Sequence, residues 1–423
     1  MSAPVLPAAC DVLVIGAGPA GSACAQKLAD GGFDVQLVDQ HDFPRDKICG
    51  DGLIADSHAA LRRLGVFDEV MAAAQHVSHV RCVAPRGGVV DVPGTLSVLP
   101  RKALDHILLR SAQRAGARLA TPVRFEAPLL DGERVVGARL KVGDALHEVR
   151  ARWVVLATGA VPQGLIAAGL CDRRTPSGVA LRGYVKNDAM VGRITQLQIV
   201  WHPRLKGGYG WIFPAPGGLF NIGAGLTGSH IELKGGKGQM QNVNLREMFK
   251  AFGEVYAPAG ELMKSGTLVG ELKGAPLRCS LLGGRWSRPG LLVTGEATGS
   301  TYAFTGEGIG KAMETGMLAA QALQQGGSRI DSASGVDSLF EIDSDIDSQI
   351  TQRYEATLRA LKPKFDLYEA ASHVNHRPWL ADLVIWRARK SPRILRRMTG
   401  VLEETQNPGR LFSWRGITKL LFE

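Results

Sequence analysis

The chain has 423 residues, 45% of them hydrophobic, with 50 Lys and Arg against 40 Asp and Glu for a net charge of +10. That length exceeds one ordinary core and predicts two or three lobes. The positive balance fits anionic substrates, acidic carriers or anionic membrane surfaces, and without a nucleic-acid-binding motif no nucleic-acid partner is expected. Six scattered cysteines at 10, 24, 49, 82, 171 and 279 form no CxxC pair, which argues against zinc and against a disulfide framework. With no signal-peptide pattern and no run of 18 apolar residues, a cytoplasmic chain is expected.

The chain opens on an apolar strand, Asp11 to Ile15, followed by Gly16, Gly18, Pro19, Ala20 and Gly21 at the head of an Ala-rich helix. This is a dinucleotide-binding βαβ pattern. Gly16 permits the tight turn, Gly18 lets backbone approach a pyrophosphate, and Gly21 lets helix pack on strand. The phosphates would sit at the helix N-terminus, where unpaired N–H groups favour an anion. Asp39 ends the next apolar run and is placed to accept hydrogen bonds from ribose hydroxyls.

A loop rich in Pro, Gly and charge follows, from Phe43 through Lys47, Cys49, Gly50 and Asp51 to Gly52, then a short helix to Leu64. Alternation from Val77 to Pro93 predicts strands outside the nucleotide lobe. Arg101 opens a segment of helical spacing, and further strands lie around 137–141 and 151–157, the latter ending in Ala157-Thr-Gly159. Residues 175–285 read as a sheet-based substrate lobe. Within it Tyr209, Trp211 and Phe213 alternate, so a strand would put all three on one face, either as an aromatic wall of a ligand chamber or as a core ladder. The nucleotide pattern returns at Leu291 to Gly295 and Glu296, ahead of Thr305-Gly306-Glu307-Gly308-Ile309-Gly310. The tail from about residue 330 reads as helical. It mixes Trp379, Leu380, Leu383, Ile385, Trp386, Ile394 and Leu395 with Arg387, Arg389, Lys390, Arg393, Arg396 and Arg397, a composition that suits an acidic membrane surface or a lid over the substrate cavity. His58, His202 and His230 form no metal spacing, and no GxSxG elbow occurs.

Three later segments resemble flavoprotein motifs: the arginine-led helix at Arg101, the strand-end turn Ala157-Thr-Gly159, and the Gly295-Glu296 and Gly306 to Gly310 pair. Together with the opening loop they are similar to the FAD fold of the p-hydroxybenzoate-hydroxylase type. Lys47-Ile-Cys49-Gly50-Asp51-Gly52 and Tyr209-Gly-Trp211-Ile-Phe213-Pro214 resemble motifs of the geranylgeranyl reductase family, in which YxWxFP lines the substrate cavity and the Cys-Gly turn abuts the flavin. Two departures stand out: Glu296 replaces the usual Asp, and Tyr302-Ala-Phe304 replaces the expected proline stretch.

The resemblance implies an α/β chain with a Rossmann-like FAD-binding domain (1–75, 100–170 and 286–328), an inserted mixed β-sheet substrate domain (76–99 and 171–285) and a helical C-terminal region (329–423). FAD would be held by Gly16, Gly18, Pro19, Ala20, Gly21, Asp39, Lys47, Cys49, Gly50, Arg101, Ala157, Gly159, Gly295, Glu296, Gly306, Gly308 and Ile309. The last three would offer backbone N–H groups and a helix N-terminus to the ring edge that gains negative charge on reduction. Lys47 is either phosphate-facing or solvated, and Asp51 is a candidate turn former. Cys49, Tyr209 and Trp211 are the candidate catalytic residues, with Tyr209, Trp211 and Phe213 lining the substrate site; the Cys49 thiol could donate a proton, tune the ring or fill space. The implied activity is saturation of C=C bonds in a prenyl or polyene substrate, free or carrier-bound. Electrons would come from transient NAD(P)H, a separate flavin reductase or a ferredoxin. A flavin-dependent halogenase or monooxygenase is the alternative, although halogenases carry WxWxIP where this chain has Tyr209 to Pro214. A non-catalytic flavoprotein that binds a lipid or carrier is the third reading.

Overall fold

The structure, a computed structural model, describes residues 4–205, 207–227, 243–326 and 344–408. His230, residues 327–328 at the end of the expected FAD-binding domain, and residues 329–343 and 409–423 of the expected helical tail lie outside the described residues. The first half runs β1 (Ala9–Ile15), α1 (Pro19–Asp30), β2 (Val35–Val38), β3 (Gly52–Leu53), α2 (Ala55–Arg63), α3 (Phe67–Ala73), β4 (Gln75–Val83), β5 (Val89–Val98), α4 (Arg101–Arg114), β6 (Arg118–Ala120), β7 (Arg124–Asp131), β8 (Arg134–Val142), β9 (Ala145–Leu156) and α5 (Gln163–Ala167). It continues with β10 (Gly178–Lys186), β11 (Leu197–Val200), β12 (Gly208–Ala215), β13 (Leu219–Thr227), α6 (Leu245–Val255), α7 (Ala257–Ser265), β14 (Thr267–Leu277), β15 (Ser287–Arg288), β16 (Leu291–Val293), α8 (Ile309–Gln325), α9 (Ser344–Ala371), α10 (His373–His376), α11 (Trp379–Ala388) and α12 (Pro392–Leu402).

Two sheets organise these elements. The first, in order β15-β16-β9-β1-β2-β6 with β8 and β7 beyond β9, is parallel through β16, β9, β1, β2 and β6. Its central strands read as continuous apolar runs because both faces are covered. Val12 and Val14 face Leu28, Leu323, Ile350 and Tyr354, while Leu13 and Ile15 face Val135, Leu140 and Leu165. The second sheet, β14-β10-β13-β12-β11-β4-β5-β3, is antiparallel except where β11 meets β4. It holds the alternating strands expected from residues 77–93 and much of 175–285. Pro214 falls beyond the last β11–β12 pair, Gln198 with Ile212, where its missing N–H costs no β11 hydrogen bond.

The glycines of the opening loop meet three separate demands. Gly16 sits at φ +103, and a Cβ there would lie 2.4 Å from the Ala157 carbonyl oxygen. At Gly21 a Cβ would fall 1.7 Å from the Gly16 carbonyl oxygen, so α1 packs on the loop only as glycine allows. Gly18 is different: a Cβ would meet nothing closer than Arg45 Nη2 at 3.6 Å and Arg101 Nη2 at 3.9 Å. The late glycine cluster closes on the same helix, with Gly316 of α8 backing onto the Ala20 carbonyl and Gly295 onto the Ala20 methyl.

The C-terminal helices α11 and α12 bury Leu380, Val384, Ile385, Ile394 and Val401 in the core that also holds Val80, Val92 and Leu96 of β4 and β5. Pro392 takes the first turn of α12 behind the N-cap Ser391, where its lost N–H is harmless. Trp201 donates to Asn375 at 2.9 Å, which ties β11's end to α10. Among the described residues no helix is long and apolar enough to cross a membrane.

His58 of α2 is 3% exposed, 2.9 Å from the Ser97 hydroxyl, and burial, then Arg62 and His76, pushes its pKa down to about 4. The unfolded chain accepts a proton near pH 6.5 that the folded chain resists. The stability His58 contributes is therefore complete above about pH 6.5 and is lost as pH falls toward 4. In urea unfolding, the advantage of wild type over His58→Gln is expected to shrink between pH 7 and pH 4.5. A constant difference contradicts the assignment.

Candidate functional site

A cavity of about 790 Å³ runs between the two sheets, within the size range of cofactor sites. Its lining includes Gly16, Gly18, Pro19, Ala20, Asp39, Lys47, Cys49, Gly50, Arg101, Ala157, Gly159, Gly295, Glu296, Gly306, Gly308 and Ile309, with Tyr209, Trp211 and Phe213 on the other wall. Of the residues singled out from sequence, Gly21 alone stands behind the lining, buried in the α1 packing.

One end of the cavity is cationic. The N-terminus of α1, uncapped by any side chain, opens there beside the guanidinium groups of Arg45 and Arg101. Arg101 is held by two hydrogen bonds to Asp105, at 2.6 and 2.8 Å, and Arg45 by one to the same carboxylate at 3.0 Å. Asp39 accepts from the Ala17 N–H at 2.8 Å and the His41 N–H at 3.0 Å, and Arg45 Nη2 lies 3.8 Å away. These bonds fix the carboxylate at the tip of β2 with lone pairs to spare. The open space at Gly18, two guanidinium groups and a helix N-terminus match a pyrophosphate, and the fixed acid matches a ribose. The site therefore fits FAD.

The other end is apolar and aromatic. Tyr209, Trp211 and Phe213 share one face of β12, with successive ring centroids 6.3 and 6.5 Å apart. Tyr209 donates its hydroxyl proton to the Thr305 carbonyl at 2.7 Å, and Trp211 donates to Asn221 at 2.9 Å. A Cβ at Gly223 would lie 2.2 Å from the Trp211 ring, so this glycine makes room for the indole. Phe213 packs against Gly50 and Gly52 of the loop that carries Cys49. The half-buried Cys49 thiol has its pKa pushed up by burial, with Arg101 opposing; it is a thiol at neutral pH.

Sequence reading missed what holds that loop. Asp51, fully buried at φ +66, accepts from Tyr184 Oη, from Asn221 Nδ2 at 2.7 Å and from the Arg101 N–H at 3.3 Å. Burial lifts its pKa to about 6, against the pull of Tyr184, Asn221, Arg182 and Arg101. It is more than a turn former: it joins the loop to α4, β10 and β13. Arg182, 2% exposed, pairs with Asp46 at 2.6 Å, donates to the Lys47 carbonyl at 3.0 Å and stacks on Tyr184. A lone Arg and Tyr two apart on a strand carry no local signal of such a role. Arg45 was legible only as one charge in a charged loop.

At the α8 end the structure corrects one expectation. Gly306 does not offer its N–H to the cavity, because that group donates to the Tyr302 carbonyl at 2.9 Å. Gly308, the N-cap of α8, and Ile309 have backbone N–H groups with no internal acceptor among the described residues. Glu296 accepts from Thr301 at 3.3 Å. Glu307 also lines the cavity; burial, reinforced by Asp56 and Glu404, raises its pKa well above the carboxylate range. Among the described residues no group of His, Cys, Asp and Glu forms a metal site.

Cavity, loops and two-sheet framework define an FAD-dependent oxidoreductase, and residues 9–176 match the FAD binding domain family. The chain is 31% identical over 346 residues to the menaquinone reductase of Mycolicibacterium smegmatis, covering 75% of this chain and 77% of that protein. It is 28% identical over 315 residues to digeranylgeranylglycerophospholipid reductase 1 of Methanopyrus kandleri, covering 74% and 79%. In fold it resembles a geranylgeranyl bacteriochlorophyll reductase-like protein from Thermoplasma acidophilum, with TM-score 0.69, 22% identity and coverage of 98% and 96%. A flavin-dependent brominase shares the fold at TM-score 0.71 and 18% identity over 98% of each chain. The chain belongs to the geranylgeranyl reductase family of FAD-dependent oxidoreductases.

Proposed function

We propose that this protein saturates carbon–carbon double bonds in the prenyl chain of an apolar lipid or carrier-bound substrate. The observation that carries the reading is the aromatic wall of Tyr209, Trp211 and Phe213, set directly against the Cys49–Gly52 loop in a cavity to which Val80, Leu197, Ile199 and Leu226 add further apolar lining. FAD, when bound and reduced, supplies hydride. Arg45, Arg101, Asp39 and the α1 N-terminus would hold its phosphates and ribose, and Gly308 and Ile309 would offer the α8 N-terminus to its ring. The aromatic wall excludes water and orients an unsaturated chain. The polar atoms of Tyr209 and Trp211 are committed to Thr305 and Asn221, so these residues shape the chamber, while the Cys49 thiol remains a donor at its edge. The relatives named for menaquinone and digeranylgeranylglycerophospholipid support a prenyl lipid. The electron donor is a nicotinamide, a flavin reductase or an iron–sulfur carrier.

Mass spectrometry of prenylated quinones and geranylgeranyl lipids incubated with protein and reductant is expected to show two hydrogens gained per bond reduced. No gain with any prenyl chain, together with halogen incorporation when oxygen and halide are supplied, would replace this reading with the halogenase one.

The outer face of α11 and α12 exposes Trp379 and Trp386, and Arg389, Lys390, Arg393 and Arg396 lie exposed around them. An apolar lipid substrate has to be reached from a membrane, and this face carries the aromatic and basic residues of an interfacial surface. The protein is expected to sediment with vesicles containing anionic phosphatidylserine at low salt. Changing Trp379 and Trp386 together to Ala is expected to cut the bound fraction several-fold; unchanged binding would leave the two helices only their covering role.

A further inference from the structure

Four buried polar atoms without a hydrogen-bond partner gather beside the apolar end of the cavity: Glu307 Oε2, Asp56 Oδ2, Glu404 Oε1 and Tyr302 Oη. Buried polar groups are ordinarily satisfied, so four orphans in one region call for a role that uses their unspent hydrogen-bonding capacity. They surround Lys311, whose ammonium lies 3.6 Å from Asp56, 3.1 Å from Glu404 and 2.9 Å from Glu314. Glu404 in turn pairs with Lys364. The cluster therefore runs from Glu307, at the cavity wall, through the interior to Lys364 and Glu314, which reach solvent. Here four carboxyl groups, Asp56, Glu307, Glu314 and Glu404, gather with Tyr302 about two ammonium groups, Lys311 and the more exposed Lys364, an excess of acid that favours keeping a proton among them.

Resting on the alkene-reductase reading, we propose that Glu307 is the acid that protonates the substrate carbon not receiving hydride, and that the Asp56–Lys311–Glu404 cluster restores its proton. The step balances. The C=C π bond breaks; one carbon gains hydride from the reduced cofactor and the other gains the Glu307 carboxyl proton, so two C–H bonds form. Glu307 is left as carboxylate and is reprotonated from solvent through the cluster, while a nicotinamide or iron–sulfur donor replaces the two electrons. Asp56 of α2, Lys311 of α8, Glu404 after α12, Tyr302, Tyr209 of β12 and Tyr368 of α9 all lie within electrostatic reach of Glu307. Burial, then Asp56 and Glu404, favour the protonated form of Glu307, and Thr305 and Lys311 oppose them. In the sequence Glu307 is one letter in a glycine motif, hidden because its partners come from residues 56 and 404.

The test compares wild type with Glu307→Gln, which keeps shape, and Glu307→Asp, which keeps the acid. Infrared spectra of the FAD-free protein at neutral pH are expected to show a protonated-carboxyl carbonyl band that Glu307→Gln lacks. Glu307→Gln is expected to bind and reduce FAD normally but to lose about 100-fold or more in alkene-dependent reoxidation, the range of general acid catalysis, with Glu307→Asp partly restored. Activity is expected to fall as pH rises through the Glu307 pKa, and Lys311→Met, which removes the opposing cation, moves that limb to higher pH. Wild-type reoxidation rates in Glu307→Gln overturn the inference and leave the reductase reading standing. If wild type itself reduces no alkene, both fall, and the carbonyl band then reports only a stored proton. Should Glu307→Gln fail to fold, absence of the band's pH shift in Lys311→Met overturns the inference.

Discussion

Replacing Gly18 by Val is expected to yield a folded, colourless protein. The φ of Gly18 is −74°, and a Cβ there has no neighbour closer than 3.6 Å, so the chain itself tolerates a side chain. What the isopropyl group takes is the space between the α1 N-terminus and the guanidinium groups of Arg45 and Arg101. Loss of two charge-assisted hydrogen bonds to phosphate, each contributing about 1.5–3 kcal/mol, weakens FAD binding by about 100-fold or more. Thermal unfolding of the FAD-free variant should match that of the FAD-free wild type, while titration with FAD separates them. Gly21→Val is the contrasting case, because its Cβ would overlap the Gly16 carbonyl at 1.7 Å, and backbone there cannot yield; it is expected to fail to fold. Equal FAD affinity in Gly18→Val and wild type would contradict the placement of the phosphates.

The second large effect is expected at Asp51. With its pKa near 6 the carboxyl is mostly ionised at pH 7, fully buried, and faces Tyr184, Asn221, Arg101 and Arg182. Asp51→Ala strands the Tyr184 hydroxyl and the Asn221 amide and leaves two guanidinium groups short of a counter-charge, which destabilises by about 3–5 kcal/mol. The loop Lys47–Gly52 loses its anchor to α4 and β13, so Cys49 should react faster with thiol reagents. Asp51→Asn keeps the volume but presents an N–H₂ to donors, and falls between. The raised pKa has a separate signature: the folded state holds a proton that the unfolded chain releases near pH 4, so this group's contribution declines as pH rises from about 4 to 6. Asp51→Asn removes that slope. A loss below about 1 kcal/mol in Asp51→Ala would mean that the network is not what fixes the loop.

Much of this architecture is legible in the chain because its signals are local. Gly16, Gly18 and Gly21 follow an apolar strand, Arg101 heads a segment of helical spacing, and Tyr209, Trp211 and Phe213 alternate as a strand requires. The parallel sheet, the aromatic face and the helical tail follow from those patterns. The rest depends on meetings between distant segments. Arg182 and Tyr184 lie on β10 yet fix a loop more than 130 residues earlier. Glu404 reaches Lys311 across the fold, and no spacing in either segment announces it. The Gly306 N–H escapes the motif for the opposite reason: the glycine pattern suggests a free donor, while a turn closing on Tyr302 uses it locally. In the basic tail Leu402 lines the cavity, while Trp379 and Trp386 are exposed.

On the proposed reading the aromatic chamber presents a prenyl double bond for reduction. Anaerobic stopped-flow absorbance of the photoreduced holoprotein, mixed with a prenylated quinone or a geranylgeranyl lipid in detergent, tests it most directly. The account predicts return of the oxidised flavin spectrum at a rate that rises with alkene concentration and is abolished when the chain is fully saturated. A spectrum that stays reduced with every alkene, and returns only when oxygen is admitted, would contradict it.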